Sequence, residues 1–481
     1  MGIIGRKKEI AELKNLYNSG RAELVAIYGR RRVGKTFLVD EVFAGKITFR
    51  HAGLSPVDAS GKKNLMADQL KHFYHSLLLH GMKKSHVPDS WLEAFFMLEM
   101  YLQSIDNGGR MLLFFDELPW MDTPKSGFLT AFEGFWNTWA CHRHNLMLVV
   151  CGSANSWVQD KLINNHGGLY GRTTYEIKLA PFTLGECAQF FRSRGVKLSR
   201  YDVVQSYMML GGIPYYLGYF EAKNSLPQNI DKLFFGNTPK LRDEYSRLFS
   251  SVFTNPEVMM AIVDFLGTRH SGYTRAEILQ HFGWDDSGCF SSKIKALIAS
   301  DFVMEYVPFG KGKRATCYKL IDPFCFFCQK YVNGKSRLDA DFWLKNQASQ
   351  SVVSWRGVAF EEVCMAHVAQ IKKALGVSGV ISTQSAWALK GDDETEGTQI
   401  DLLINRNDNV LNMCEMKFYA DDFTITKAYH QKLMNRERLL MERLPKRTVI
   451  HSTLITTCGL TYNEYSDDFT NVVTINDLFA D

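Results

Sequence analysis

The stretch ELVAIYGRRRVGKTFLVDEVF (Glu23–Phe43) decides how the front of this chain folds. An apolar run, a loop bounded by Gly29 and Gly34, and apolar residues at Phe37, Leu38 and Val42 predict a strand, a turn and a helix. The eight residues Gly29, Arg30, Arg31, Arg32, Val33, Gly34, Lys35 and Thr36 satisfy G-x-x-x-x-G-K-[S/T] at every position. Glycines let backbone N–H groups turn inward around phosphate oxygens, and the following helix adds the positive end of its dipole. Lys35 is expected to neutralise the β- and γ-phosphates of ATP, and the Thr36 hydroxyl to ligate Mg²⁺. A chain of this length and average usage meets the pattern by chance on the order of one time in fifty, so it is specific before its context is considered.

Such a loop needs a carboxylate on a neighbouring strand. RMLLFFDELPW (Arg110–Trp120) offers five consecutive apolar residues followed by Asp116 and Glu117. A run of that kind reads as a parallel strand covered on both faces. Asp116 is expected in the Mg²⁺ shell, with Glu117 placed to polarise the attacking water. The next apolar run, in NLMLVVCGSANSW (Asn145–Trp157), ends in small polar residues, of which Ser153 and Asn155 are candidate γ-phosphate sensors; a plain strand-ending turn is the alternative. Arg172, in GGLYGRTTYEI, is a cation available to transition-state charge, either in its own subunit or across a homo-oligomer.

The whole chain has 481 residues, more than one core usually supports, so several domains are expected. With 46% hydrophobic and 22% charged residues it has a globular composition, and a net charge of +5 is too mild to imply nucleic acid without a local patch. The ten cysteines lack metal-type pairing: Cys325 and Cys328 form a lone C-x-x-C, which suits buried thiols in a reducing cytoplasm. MGIIGRKKEI carries charges where a secretory leader needs an apolar core, and no apolar run reaches the length of a membrane span.

GGIPYYLGYF (Gly211–Phe220) interrupts a helical stretch and reads as a helix-helix corner. From about Asn255 to Pro323, three short helical patterns precede a strand, a basic turn and a second strand, which describes a winged helix-turn-helix. Ser291, Ser292, Lys293 and Lys295 would open its recognition helix, with Lys311, Lys313 and Arg314 on the wing. Cations there suit phosphate contact with DNA, but the same unit also serves as a rigid spacer, and both uses stay open. Phe324, Phe326 and Phe327 read as a docking stripe, followed by a linker to about Gln350.

The rear begins with an amphipathic helix over Trp355–Leu375 that bears Glu361 and Glu362 in its first turns. After a polar loop rich in Gly, Asp and Glu, TQIDLLINRNDNVLNMCEMKFY reads as a strand, a turn and a strand. Alternation puts Glu415 and Lys417 on one face, and Asp401 lies on the paired strand. Hard carboxylates with a lysine are the parts of a metal-dependent phosphodiesterase. On that reading Asp401 and Glu415 are metal ligands, Glu361 is a third acid, Lys417 orients water and stabilises charge, and Gln431 and Lys432 contact phosphate. An Asp followed loosely by E-x-K arises about once by chance in such a chain, so spacing alone is weak. The alternative is an edge hairpin with an ion pair.

GRKKEIAEL, YGRRRVGKT, FFDELPWMD, VVCGSANS, LYGR and GGIPYYL together resemble the archaeal-type ATPase family, a branch of the AAA+/STAND P-loop group. The resemblance runs from about residue 2 to 240. It implies an αβα ATPase core with a helical lid from about Pro181, an ATP-proximal Arg172, and Gly5-Arg6 beside the adenine. GVAFEEV, QIDLLINR, CEMKF and TTCGLTYNEY are similar to the PD-(D/E)xK nuclease-like domain fused to that family in bacteria, although Gln399 and Ile400 stand where a P-D dipeptide would be.

The expected fold class is therefore α/β, with a P-loop αβα core (residues 1–180), a helical lid (181–250), a winged helix (251–335) and a restriction-endonuclease-like rear domain (350–481). The expected function is ATP hydrolysis that gates a Mg²⁺-dependent, DNA-directed nuclease, in defence or mobile-element control. Its rivals are a STAND-like ATP switch with an inactive rear domain and a DNA-binding regulator.

Overall fold

The computed structural model describes residues 2–56, 63–153, 155–164, 167–253, 255–334, 339–389 and 397–480. The chain forms two compact units, Met1–Pro181 with Leu248–Pro256, and Phe182–Arg247 with Glu257–Asp481.

The first unit is built on five parallel strands: β1 (Glu23–Tyr28), β2 (Ile47–Ala52), β3 (Met111–Asp116), β4 (Leu146–Gly152) and β5 (Tyr175–Lys178), in the order β2-β3-β4-β1-β5. β3 and β4 are buried along their whole length, as unbroken apolar runs require when helices cover both faces of a parallel sheet. On one face an aromatic core gathers Phe49, Phe73, Trp91, Phe95, Phe115 and Phe132. The helix Trp91–Ile105 presents Trp91, Phe95 and Leu98 to it, and Ser90 caps its first turn by accepting from the Glu93 N–H. Pairing of Tyr28 with Gly152, and of Phe115 with Val150, brings the ends of β1, β3 and β4 to one edge. That edge collects whatever chemistry the following loops carry.

In the second unit, the helix Arg200–Leu210 starts in a Ser199–Asp202 capping box and is buried from Val203 to Leu210. It packs against the helices Pro323–Tyr331 and Gln350–Ala366. Gly211 and Gly212 end it with φ of 65° and 68°, and a Cβ on Gly212 would lie 2.4 Å from the Phe182 carbonyl oxygen, so only glycine fits. Phe324 stacks on Tyr216 with ring centroids 4.8 Å apart, and Phe327 joins Tyr331, Trp343 and Trp355 in an aromatic cluster, so this stripe is internal to the unit.

Trp343 also corrects one expectation. The segment before Gln350, expected to be a linker, contains the helix Phe342–Asn346, because the Asp231 carboxylate accepts from the N–H groups of Trp343 and Leu344 at 2.7 and 2.9 Å while the indole fills the core.

The helices Pro256–Leu266, Arg275–Phe282 and Gly288–Ala299 accompany a three-stranded antiparallel sheet of β6 (Tyr273–Thr274), β7 (Val303–Tyr306) and β8 (Cys317–Leu320), ordered β6-β8-β7. The rear sheet is mixed. β9 (Ser382–Leu389), β10 (Thr398–Arg406) and β11 (Val410–Lys417) pair antiparallel with one another, whereas β12 (Val449–Thr456) and β13 (Asn471–Thr474) continue in parallel from β11. The helix Lys427–Met441 supplies the crossover that a parallel β11–β12 pair needs, and buries Leu433, Leu439 and Leu440 against Leu411, Met413 and Leu454. The Gly, Asp and Glu-rich loop expected before β10 falls at positions 390–396, outside the described residues.

Candidate functional site

The loop after β1 has the backbone that the pattern demands. Gly29 has φ of 148°, and a Cβ there would sit 2.3 Å from the Leu179 carbonyl oxygen; Arg32 and Gly34 have φ of 72° and 95°. Lys35, 6% exposed, donates to the carbonyl oxygens of Gly29 and Arg30 at 2.9 and 3.2 Å, which holds its ammonium across the loop. Burial pulls its pKa below the ordinary lysine range, and Glu117, Cys151 and Asp116 oppose that shift.

The Thr36 hydroxyl donates to Asp116 Oδ2 at 2.8 Å, so the end of β3 and the start of the helix Lys35–Val42 meet. Burial pushes the Asp116 carboxyl up while that hydrogen bond draws it back. Two adjacent hard oxygen donors suit a Mg²⁺ ion, which keeps most of its own waters. Glu117 follows in a left-handed conformation, φ 46°, and its Oε2 accepts from the Ser153 N–H at 3.1 Å and the Ser153 hydroxyl at 2.8 Å. The ends of β3 and β4 are thus joined by the two residues expected to act on water and phosphate. Among the flanking residues Val33 is buried, and Arg31 lies 5.6 Å from the Trp120 ring.

Arg6 is buried and donates to the Ala180 carbonyl, which ties the amino-terminal loop to the end of the unit. Arg172 lies in the turn before β5, exposed, with no ion pair among the described residues. The side chain of Asn155 is outside what is described.

At the rear, the predicted acids divide between two groups. Glu415, 5% exposed, receives a hydrogen bond from the Tyr429 hydroxyl at 2.7 Å and an ion pair from Arg436, both on the helix Lys427–Met441. Lys417 Nζ lies 3.6 Å from the same carboxylate, on the shared strand face that alternation predicts. Burial opposes the Arg436 charge, yet Glu415 beside it raises the guanidinium above its ordinary range.

Glu361 and Asp401 instead converge with His270, their ligating atoms lying within 4.8 Å of one another. Asp401 sits where β10 bulges against β9, between Ile400 and Leu403, and a bulge re-aims side chains out of simple alternation. Ala386, the β9 residue that the register skips there, accepts from the Phe309 N–H at 2.8 Å, fastening the β7–β8 hairpin to the rear sheet. Burial raises the Glu361 carboxyl to about 7 against the pull of Lys319 and Lys417. Burial and Glu361 also raise Asp401.

Contrary to the expectation of a helix over Trp355–Leu375 with Glu361 and Glu362 in its first turns, the helix begins at Gln350, where Ser349 caps it, and stops at Ala366, which places both acids in its second half. Gln431 and Lys432 are exposed, as are Lys295, Lys311, Lys313 and Arg314, while Lys293 is half-buried.

The reading of sequence missed Tyr429, Arg436, Lys319 and His270. Tyr429 and Arg436 stand seven residues apart on one helix, a spacing that puts both on one face and would have paired them with a strand acid. His270 and Lys319 carry no local signal.

No helix among the described residues is long and apolar enough to cross a membrane. Residues 3–220 match the profile of a family described as an ATPase domain predominantly from Archaea. An uncharacterised protein of Methanocaldococcus jannaschii is 24% identical over 447 residues, 91% of this chain and 92% of that relative. A second protein of that organism, described as an uncharacterised ATP-binding protein, is 42% identical over 44 residues, 9% of this chain and 75% of its own length. Among solved structures, the Walker-type ATPase of Pyrococcus abyssi shares the fold over 68% of this chain and 96% of its own, with a TM-score of 0.50 and 16% identity. The profile match, together with a lysine folded across a glycine-bounded loop beside the Thr36–Asp116 pair, makes the front of this chain an ATP-binding domain of the archaeal-type, Walker P-loop ATPase family.

Proposed function

We propose that ATP hydrolysis in the front cradle gates a metal-dependent, DNA-directed phosphodiesterase in the rear region. The observation that carries the rear half is the convergence of Glu361 and Asp401, two mostly buried carboxylates, with Glu415 and Lys417 within electrostatic range of Glu361. Buried acids of this kind are costly unless they hold a cation. The order helix, three strands, helix, strand supports the comparison with nuclease-like domains.

At the front, backbone N–H groups of Gly29 to Thr36 would bind phosphate oxygens, and Lys35 would exchange its carbonyl partners for the β- and γ-phosphates. Thr36 and Asp116 would hold Mg²⁺, which when bound neutralises charge between the phosphates. Glu117 would orient the attacking water once Ser153 releases its carboxylate to sense the γ-phosphate, and Arg172 would approach the same phosphate in cis or from a second copy. Gating has a physical route within the second unit, because the helix Arg200–Leu210 packs directly on the helix that bears Glu361. The exposed cations Lys311, Lys313 and Arg314 support phosphate contact with DNA by the helix-and-hairpin segment.

A second reading is an ATP switch whose rear region binds without cutting. The saturation of Glu415 by Arg436 and Tyr429 favours it, since a carboxylate so engaged is a poor metal ligand. Purified protein incubated with supercoiled and linear DNA, with Mg²⁺ or Mn²⁺ and with or without ATP, tests both. Nicks or breaks that vanish in Asp401→Ala and Lys417→Ala are expected. An intact substrate under every condition selects the switch.

A further inference from the structure

We propose that His270, contributed by the helix-and-hairpin segment and not by the rear sheet, completes a divalent transition-metal site with Glu361 and Asp401. This rests on the part of the preceding reading in which rear acids bind a cation, and adds the identity of the donor set and the class of metal.

The geometry is that of a ligand group with its supports. His270 Nε2 is 2.6 Å from Glu361 Oε2, and the ligating atoms of His270, Glu361 and Asp401 all lie within 4.8 Å of one another, close enough for small adjustments to close them on one ion. The other ring nitrogen, Nδ1, faces Glu362 Oε1 at 3.5 Å. A carboxylate behind the far nitrogen is what orients a metal-binding imidazole and leaves its other nitrogen lone pair for the ion. Glu362 is itself held by Lys319 Nζ at 2.6 Å, and its Oε2 is buried without a hydrogen-bond partner. Gln399 donates to Asp401 Oδ1, which orients the second ligating carboxylate.

Charge points the same way. Glu362 has Lys319, and Glu415 has Arg436 and Lys417. Glu361 and Asp401 are left with no lysine or arginine partner among the described ion pairs, only the imidazole of His270. Two carboxylates and one neutral imidazole match the charge of one divalent ion. Lys319 Nζ lies 3.3 Å from His270 Nε2 and would draw back toward Glu362 as an ion entered. The side chains of His270 and Glu361 are about one-fifth exposed, at 20% and 19%, so solvent reaches the site.

One nitrogen with two carboxylate oxygens suits Mn²⁺, Co²⁺ or Zn²⁺ better than Mg²⁺ or Ca²⁺, which take oxygen ligands. The nuclease-type pairing of Asp401 with Glu415 would show no such preference. Because His270 belongs to the same segment as Lys311, Lys313 and Arg314, an imidazole ligand would also make the metal site depend on how that segment is docked.

Nucleotide-free, full-length protein titrated with Mn²⁺ tests the proposal by electron paramagnetic resonance. Loss of the free-ion signal counts bound Mn²⁺, and pulsed measurements detect hyperfine coupling to a ligating ¹⁴N. The expected result is a site with nitrogen coupling that survives in Thr36→Ala, which excludes the front cradle, and that Mg²⁺ displaces poorly. His270→Gln should lose the coupling and weaken binding by about tenfold or more, and Asp401→Asn by about a hundredfold. Bound Mn²⁺ without nitrogen coupling in the unmodified protein overturns the proposal and needs no variant; so does failure to bind Mn²⁺ at millimolar concentration. Nitrogen-coupled Mn²⁺ on a protein that never cuts DNA would end the nuclease reading and leave this site standing, whereas cleavage without that coupling would do the reverse.

Discussion

Lys35 at the front and the acids at the rear are buried charges at the edge of a sheet, and they are stabilised in opposite ways. The Lys35 ammonium finds its partners in the carbonyls of Gly29 and Arg30, members of its own loop. Glu415 depends on Tyr429 and Arg436 from the next helix, and Glu361 on His270 from a segment that precedes the rear sheet. A site closed by its own loop travels with eight residues of sequence. A site closed by distant side chains exists only once several elements have docked, and each of those contacts is a place where it can be opened.

The largest expected effect tests the local site. Lys35→Ala should cut ATP turnover at least about a thousandfold, roughly 4 kcal/mol of transition-state stabilisation, with the fold intact by circular dichroism. Turnover near that of the unmodified protein would remove the cradle's claim to the chemistry.

Next in size is the assembled site. Arg436→Ala leaves Glu415 buried beside Tyr429 without its principal cation and should destabilise the second unit by about 3 kcal/mol in urea unfolding. Adding Glu415→Gln should recover most of the loss. If the double variant is no more stable than the single one, the Arg436–Glu415 pair is not what makes the site depend on docking.

Acid should act on the same unit through His367. This ring is 1% exposed, accepts from the Leu184 N–H at Nε2 (3.0 Å), and is pushed down to about 4 by burial. Its folded pKa lies below that of the unfolded chain, so the stabilisation is complete above about pH 6.5 and is lost as pH falls toward about 4, where the unfolded chain takes up a proton that the folded one refuses. About 2 kcal/mol should disappear between roughly pH 6.5 and 5, and His367→Gln should flatten that slope. An unchanged slope would assign the acid sensitivity to another group.

The smallest effect on stability, below about 0.5 kcal/mol, is expected from combined Lys311→Ala, Lys313→Ala and Arg314→Ala, since all three side chains are exposed. The same variant should weaken DNA binding and lower the slope of log affinity against log salt by about three. An unaltered slope makes the helix-and-hairpin segment a spacer.

The front was legible in detail. Gly29, Lys35, Thr36, Asp116, Glu117 and Ser153 were all named from strand ends and loop pattern, and the parallel sheet brings their loops to one edge. At the rear, β10 and β11 were legible from alternation, and so was the common face of Glu415 and Lys417. Asp401 was named as a ligand from its strand, but its convergence with His270 and Glu361 was not legible, because a bulge breaks the alternation by which its neighbours are read. The helix Phe342–Asn346 was hidden because its start is capped by Asp231, far back in the chain.

What the chain determined alone was everything whose physics is local: glycine-dependent φ values, runs of apolar side chains with the period of a buried strand, and a lysine and hydroxyl at fixed offsets from a turn. Only the tertiary structure decided which charges neutralise which. Coulomb and hydrogen-bond partners are chosen by distance in space, and the imidazole that meets Glu361 and Asp401 comes from an element whose sequence gives no sign of them.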